Sequence, residues 1–217
     1  MKKLIALLLA GCMMATMVVG CGSKEDAAEA PAATEETAEA QSDLAYVKEK
    51  GTLVVGITDF APMDYKNEDG EWIGFDADYA RAVCAKLGVE AEFKEIDWDY
   101  KIMALESKDI DCVWNGMTIT DAIEAAADCT APYMYNTQVA VIKKADAEKY
   151  KKLEDLQGAS IAAEGGSAGE SVINSVDALK SGLKSVTAQS DALLEVLSGA
   201  SDAAIVDLTL AKALINN

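Results

Sequence analysis

Three short stretches hold the residues that could do chemistry. Trp114-Asn115-Gly116-Met117-Thr118-Ile119-Thr120 is a polar, glycine-containing turn that follows directly on the apolar run IDCVW (110–114). Glu164-Gly165-Gly166-Ser167-Ala168-Gly169 follows SIAA (160–163), and Asp207 closes AAIVD (203–207). Amide, hydroxyl and main-chain groups placed after apolar runs suit the holding of a small polar ligand. No cationic residue follows the first loop until Lys143, so a negative ligand charge there has no nearby partner in sequence. The chain contains no histidine, which excludes serine–histidine and cysteine–histidine catalysis and histidine-ligated zinc. Its single arginine, Arg81, lies inside a predicted helix.

The elements that must position these residues alternate in type. LVVGI (53–57) reads as a buried strand. FDADYARAVCAKLG (75–88) reads as a helix, with Ala80, Val83, Cys84 and Leu87 at helical spacing, Asp76 as N-cap and Gly88 as its stop. VEAEFKEI (89–96) alternates as a strand, DYKIMALES (99–107) reads as a helix and IDCVW as a further strand. TQVAVIKK (137–144) is strand-like, and SIAA leads through a glycine turn into a helix starting near Ser167. DALLEVLSG (191–199) reads as a helix capped by Ser190 and ended by Gly199; DAAIVD (202–207) is a strand running into LTLAKALI (208–215). This order predicts α/β layers on a largely parallel sheet. Ligands in such folds sit beyond the carboxyl ends of strands, near helix N-termini. Segments 58–63, 97–98, 115–120, 164–168 and 207 all fall there and are expected to line one cleft.

Composition narrows the class. The 217 residues, 51% of them hydrophobic, suit one or two compact domains. Nineteen basic against 37 acidic residues give a net charge of −18 and leave no cationic track for nucleic acid. The five cysteines, Cys12, Cys21, Cys84, Cys112 and Cys129, contain no CxxC pair, so no metal site is expected; Cys84 and Cys112 sit in apolar patterns as buried thiols. Lys2 and Lys3 followed by the uncharged stretch Leu4–Gly20 have the layout of a secretory signal. Val18-Val19-Gly20-Cys21 resembles a lipobox that lipidates Cys21, and LAGC ending at Cys12 is the alternative. Gly22–Gln41 lacks aromatic and β-branched aliphatic residues, carries six acids against one lysine, and is expected to be a disordered tether. Loss of residues 1–20 removes two lysines, leaving 17 basic and 37 acidic residues and a charge of −20.

GTLVVGITDFAPMDYKNEDGEWIGFDADYARAVCAKLG, DWDYKIMALESKDIDCVWNGMTIT, PYMYNTQVAVI, LEDLQGASIAAEGGSAG and SGASDAAIVD, in that order, resemble the extracytoplasmic solute-binding proteins of polar amino-acid ABC importers, over residues 43–217. The resemblance implies a type II periplasmic-binding-protein-like fold whose two α/β lobes close on a ligand by a hinge and are then read by a membrane permease. It implies four segments: a lipoprotein signal peptide at 1–20, an anchor cysteine and acidic tether at 21–41, the N-terminal part of lobe 1 at 42–135, and an incomplete lobe 2 at 136–217.

The resemblance also assigns roles. Phe60 and Trp98 match aromatics that pack on opposite sides of the ligand side chain. Gly116 and Thr118 match residues that contact its ammonium and carboxylate, and Ser167 stands where the family has a helix start whose N–H groups take a carboxylate. Asp207 matches the acid that pairs with the α-ammonium, a pair that is strong when desolvated; the ordinary reading of Asp207 is an N-cap for the next helix. Asn115, Asn136 and Gln138 are further polar candidates. The family's carboxylate-gripping arginine is replaced here by Ile123, and lysine is not an equivalent fork. Glu164, where some relatives use lysine, favours a ligand with an additional positive charge. Relatives continue beyond LINN, crossing back to complete the first lobe. The expected partners are therefore an amino acid or similar small polar solute, an ABC permease and the membrane through a lipid anchor. The receptor is expected to be monomeric and to need no cofactor. An enzyme on the same scaffold, like the cyclohexadienyl dehydratases, with Glu164 and Asp207 as acid and base, and a ligand-sensing domain are the alternatives.

Overall fold

The computed structural model describes residues 42–215; the expected signal peptide and tether, with Cys12 and Cys21, lie outside the described residues. The first described helix, α1 (Asp43–Lys50), is opened by Ser42, whose Oγ accepts the Ala45 N–H at 3.1 Å, and is closed by Gly51 in the left-handed region. The chain then enters β1 (Thr52–Ile57), the centre of a parallel sheet in the order β4-β1-β5, with β4 (Glu90–Glu95) and β5 (Cys112–Val113) at its sides. Val55 stands opposite Phe93 and Cys112 and is fully buried. The predicted strand IDCVW contracts to two residues: the Ile110 N–H turns back to the Ala104 carbonyl, while the Asp111 and Trp114 N–H groups on either side of β5 still reach the Val54 and Gly56 carbonyls of β1.

Between β1 and β4 runs α2 (Phe75–Leu87), whose Ala77, Ala80 and Cys84 form a buried stripe at helical spacing. Gly88 ends it with φ 78. Asp76 is not the N-cap: Gly74 holds that position, and the Asp76 carboxylate is engaged by the Gly116 N–H and the Tyr133 hydroxyl. A small hairpin, β2 (Tyr65–Lys66) with β3 (Trp72–Ile73), precedes this helix. Asn67 Oδ1 fixes its turn by accepting the Asp69 and Glu71 N–H groups at 3.0 and 2.9 Å. The segment predicted as a helix over 99–107 begins as a tight turn, Trp98–Tyr100, and continues as α3 (Lys101–Glu106). A single further turn, α4 (Asp121–Glu124), is capped by Thr120 and carries Ile123 half-buried.

The second sheet, in the order β6-β9-β7-β8, comprises β6 (Gln138–Ile142), β7 (Ile161–Glu164), β8 (Leu183–Val186) and β9 (Ala203–Asp207). β7 runs parallel to both β8 and β9, and β6 is antiparallel to β9, with Gln138 opposite Asp207. Every residue of β7 and β9 is buried, as a strand covered on both faces requires. The cover comes from α5 (Ala168–Ser175), α6 (Asp177–Lys180), α7 (Gln189–Ser198) and α8 (Leu208–Ile215). Ser190 does not cap α7; Ala188 holds the N-cap position and Gln189, tied to Asp207, already belongs to the first turn. Two parts of the molecule thus have their own sheets, in a mixed α/β fold of two lobes. Phe60 and Met63 of the first belong to the same apolar cluster as Ala162, Val196, Ala204, Val206 and Leu210 of the second.

Cys84 is buried, Cys112 half-buried and Cys129 exposed, all as free thiols; burial pushes the Cys112 thiol up to about 12. No described helix is long and apolar enough to cross a membrane.

Candidate functional site

The loop 114–120 leaves the end of β5 beside the end of β1. Asn115 joins the two: its Oδ1 accepts the Thr58 N–H at 3.1 Å and its Nδ2 donates to Thr58 Oγ1 at 2.6 Å, both buried. The next residue, Gly116, adopts φ 60, and a side-chain carbon there would lie 2.7 Å from the Phe60 ring. Glycine is therefore required twice over, by backbone conformation and by the aromatic against it. Because the Gly116 N–H goes to Asp76 Oδ2 at 2.5 Å, the carbonyl is the group left to meet a ligand. Thr118 is exposed. Phe60 is only 3% exposed and sits between this loop and the second-lobe cluster.

Under that loop lies a buried pair of acids that sequence reasoning missed. Asp64 is fully buried; the Ala77 N–H lies near its carboxyl, and among the described residues no well-formed hydrogen bond satisfies either oxygen. Burial first, then the nearby Asp76, push its carboxyl up to about 8, so it carries a proton at neutral pH.

The second wall is built at the ends of β7 and β9. Asp207, the last residue of β9, is buried and held by three amides. Asn136 Nδ2 and Gln138 Nε2 both donate to Oδ1, the latter at 2.7 Å, and Gln189 Nε2 donates to Oδ2 at 2.5 Å. Its oxygens are thus taken by side-chain amides and not by the first turn of α8, which sets aside the N-cap reading. Burial raises the Asp207 carboxyl while these three bonds oppose the rise. Gln189 was missed because it reads as a polar helix-surface residue; nothing in the local pattern points it inward.

Glu164 ends β7 and is only 3% exposed, and among the described residues no ion pair includes it. Burial, and next the charge of Asp207, push it up to about 8, with Lys101 opposing. Two residues on, Gly166 passes so close to the first lobe that a side-chain carbon there would sit 2.8 Å from the Asp99 Cα. Ser167 then caps α5, its Oγ accepting the Glu170 N–H at 3.1 Å, while the Glu170 carboxylate accepts the Gly166 N–H at 2.8 Å. Trp98, only 7% exposed, starts the tight turn on the opposing lobe.

Lys101, also missed, connects the two walls. Its Nζ donates to the Trp98 carbonyl at 3.0 Å and across to the Gly166 carbonyl at 2.8 Å, and lies 4.8 Å from the centre of the Trp98 ring. Burial lowers its ammonium below the ordinary lysine value, against the raising effect of Asp99, Glu164 and Glu170. Within helix-like periodicity a lysine at the start of a helix reads as a solvated residue, so its burial is not legible from its own segment. The structure thus brings Phe60 against Gly116, Trp98 through Lys101 against the Glu164–Ser167 turn, and Glu164 within electrostatic reach of Asp207. Among the described residues no cluster fits a metal ion.

The model of the family described as bacterial extracellular solute-binding proteins, family 3, matches residues 53–215. The chain belongs to this family. It is 36% identical over 116 residues to the L-cystine-binding protein TcyJ of Escherichia coli (strain K12), covering 53% of this chain and 44% of the relative. It is 30% identical over 168 residues to the arginine-binding extracellular protein ArtP of Bacillus subtilis (strain 168), covering 77% and 57%. The chain therefore spans about half the length of these curated relatives. Among solved structures, the ancestral amino acid-binding protein AncCDT-1, described as a precursor of cyclohexadienyl dehydratase, superposes with a TM-score of 0.76 at 34% identity, over 81% of this chain and 78% of that one. In this family 3 solute-binding protein the buried acids Glu164 and Asp207 end adjacent strands of the second lobe, and Trp98 of the first lobe meets the turn after Glu164 through Lys101.

Proposed function

We propose that this chain is the ligand receptor of an ABC importer and that it holds, between its lobes, an amino acid carrying an extra positive charge. The observation that carries this reading is the pair of buried acids, Glu164 and Asp207, at the ends of adjacent strands, with Lys101 as the one buried cation among the described residues. Removing two carboxylates from water is costly unless something positive meets them. In this reading Asp207, fixed by its three amides, takes the α-ammonium, and Glu164 takes the side-chain cation. Phe60 and Trp98 flank the aliphatic stem, while the Gly116 carbonyl, Thr118 and the Ser167 turn complete the polar contacts, with Asn115 holding the loop. Cys21 anchors the receptor by its lipid on the extracytoplasmic face of the cell membrane, and the receptor works as a monomer.

A thermal-shift screen of the chain against the twenty amino acids and small polyamines tests the reading. L-arginine, L-lysine or L-ornithine should raise the melting temperature with the logarithm of ligand excess. A shift confined to acidic or apolar amino acids, or no shift at all, counts against it. A second reading, catalysis, draws on the Glu164 carboxyl at about 8, suited to a general acid or base. Product formation from prephenate-type acids would favour it over transport.

A further inference from the structure

From the surroundings of Lys101 we infer that its ammonium is the cation that receives the ligand's carboxylate, making this residue the one that selects for an amino acid over the corresponding amine. The inference rests on the amino-acid-receptor reading above and deepens it.

A lysine ammonium has three N–H donors. Two are spent on the Trp98 and Gly166 carbonyls. Among the described residues the third has no acceptor, and no ion pair includes Lys101. Asp99, Glu164 and Glu170 act on it through space only, Glu170 being engaged by the Gly166 N–H. A desolvated cation without an anionic contact is expensive to maintain, and a site that keeps one is prepared for an anion. Its location agrees. The nitrogen lies 2.8 Å from the carbonyl of Gly166, the residue next to the Ser167 cap of α5. In that eight-residue helix Ser167 takes the Glu170 N–H, and the Ala168 and Gly169 N–H groups ahead of it, with the helix dipole, favour negative charge nearby. Ammonium and helix terminus thus converge on one anion position between the lobes.

The half-buried Ile123 on α4 offers no charge to the carboxylate.

Titration calorimetry of the full chain in mild detergent, with L-arginine and its decarboxylated analogue agmatine, tests the inference. Wild type should prefer L-arginine. Lys101→Met should weaken L-arginine by about 10- to 100-fold, the range of a hydrogen bond between charged groups, and leave agmatine within about threefold. Lys101→Arg should restore the preference. If Lys101→Met melts without cooperativity, Lys101→Gln, which keeps donors for the two carbonyls, carries the same comparison. Unchanged L-arginine affinity, or equal losses for both ligands, overturns the role of Lys101 and leaves the receptor reading standing. A wild type that binds no amino acid overturns both. Should another amino acid bind instead, that acid and its decarboxylated amine replace the pair.

Discussion

Gln189 grips Asp207 at two points. Its Nε2 donates to the Asp207 carboxylate at 2.5 Å while its Oε1 accepts the Asp207 main-chain N–H at 2.8 Å, both in the buried interior. One side chain at the first turn of α7 therefore sets both the position of the end of β9 and the aim of its carboxylate. The arrangement holds an acid ready for a cation without supplying one.

Gln189→Leu removes both bonds and leaves a buried charge short of donors. The variant should lose about 1–3 kcal/mol of unfolding free energy, the cost of an unsatisfied buried group, and bind L-arginine at least about tenfold more weakly. Urea unfolding and calorimetry check the two effects. Wild-type values for both would mean that Gln189 does not orient the acid.

Glu164 should make binding depend on pH. In the empty crevice its carboxyl is raised from the ordinary 4.5 to about 8, so near neutrality it is largely protonated. A cationic ligand favours the anion and expels that proton. Affinity for L-arginine should therefore climb as pH rises from about 6 to 8 and level off above, with about one proton released per ligand near neutral pH. Calorimetry in buffers of different ionisation enthalpy reads the proton directly. Glu164→Gln should abolish the release and weaken binding; a wild-type affinity flat across this range speaks against the pairing.

Asp64 should shape stability. Its folded carboxyl is raised from 3.8 to about 8, so the folded state holds a proton that the unfolded chain has lost. The stabilising contribution is whole below about 4 and is lost as pH rises through about 8, with a slope of at most about 1.4 kcal/mol per pH unit. Asp64→Asn should flatten that part of the pH profile of denaturant unfolding and be relatively more stable at alkaline pH. A variant profile parallel to wild type would place the titration elsewhere.

Much of the frame was legible because it rests on periodicity. β1, β4, β6, β7 and β9, the helices after β1, β4, β7 and β9, and α7 follow from apolar runs, alternation and glycine stops such as Gly88 and Gly199, whereas β8 was not read. What failed was decided by tertiary contact. Asp76 has the residue type of an N-cap, yet its carboxylate is claimed by Gly116 and Tyr133. Ser190 could cap a helix, yet the turn starts one residue earlier where Gln189 meets Asp207. The β2–β3 hairpin escaped notice because its strands are two residues each. Of the site, the acids at strand ends and the glycine loop were readable from their positions. Lys101 and Gln189 were not, since only the approach of distant segments turns a helix-surface lysine and glutamine into buried partners.

The position of the ligand's positive end is tested most directly at Asp207. Calorimetric titration of L-arginine into wild type and Asp207→Ala, with circular dichroism melts confirming that both fold, should show binding by wild type and loss of about 3–5 kcal/mol in the variant, at least a hundredfold in affinity. A folded Asp207→Ala chain that binds L-arginine as tightly as wild type would contradict a crevice in which that carboxylate meets the ammonium.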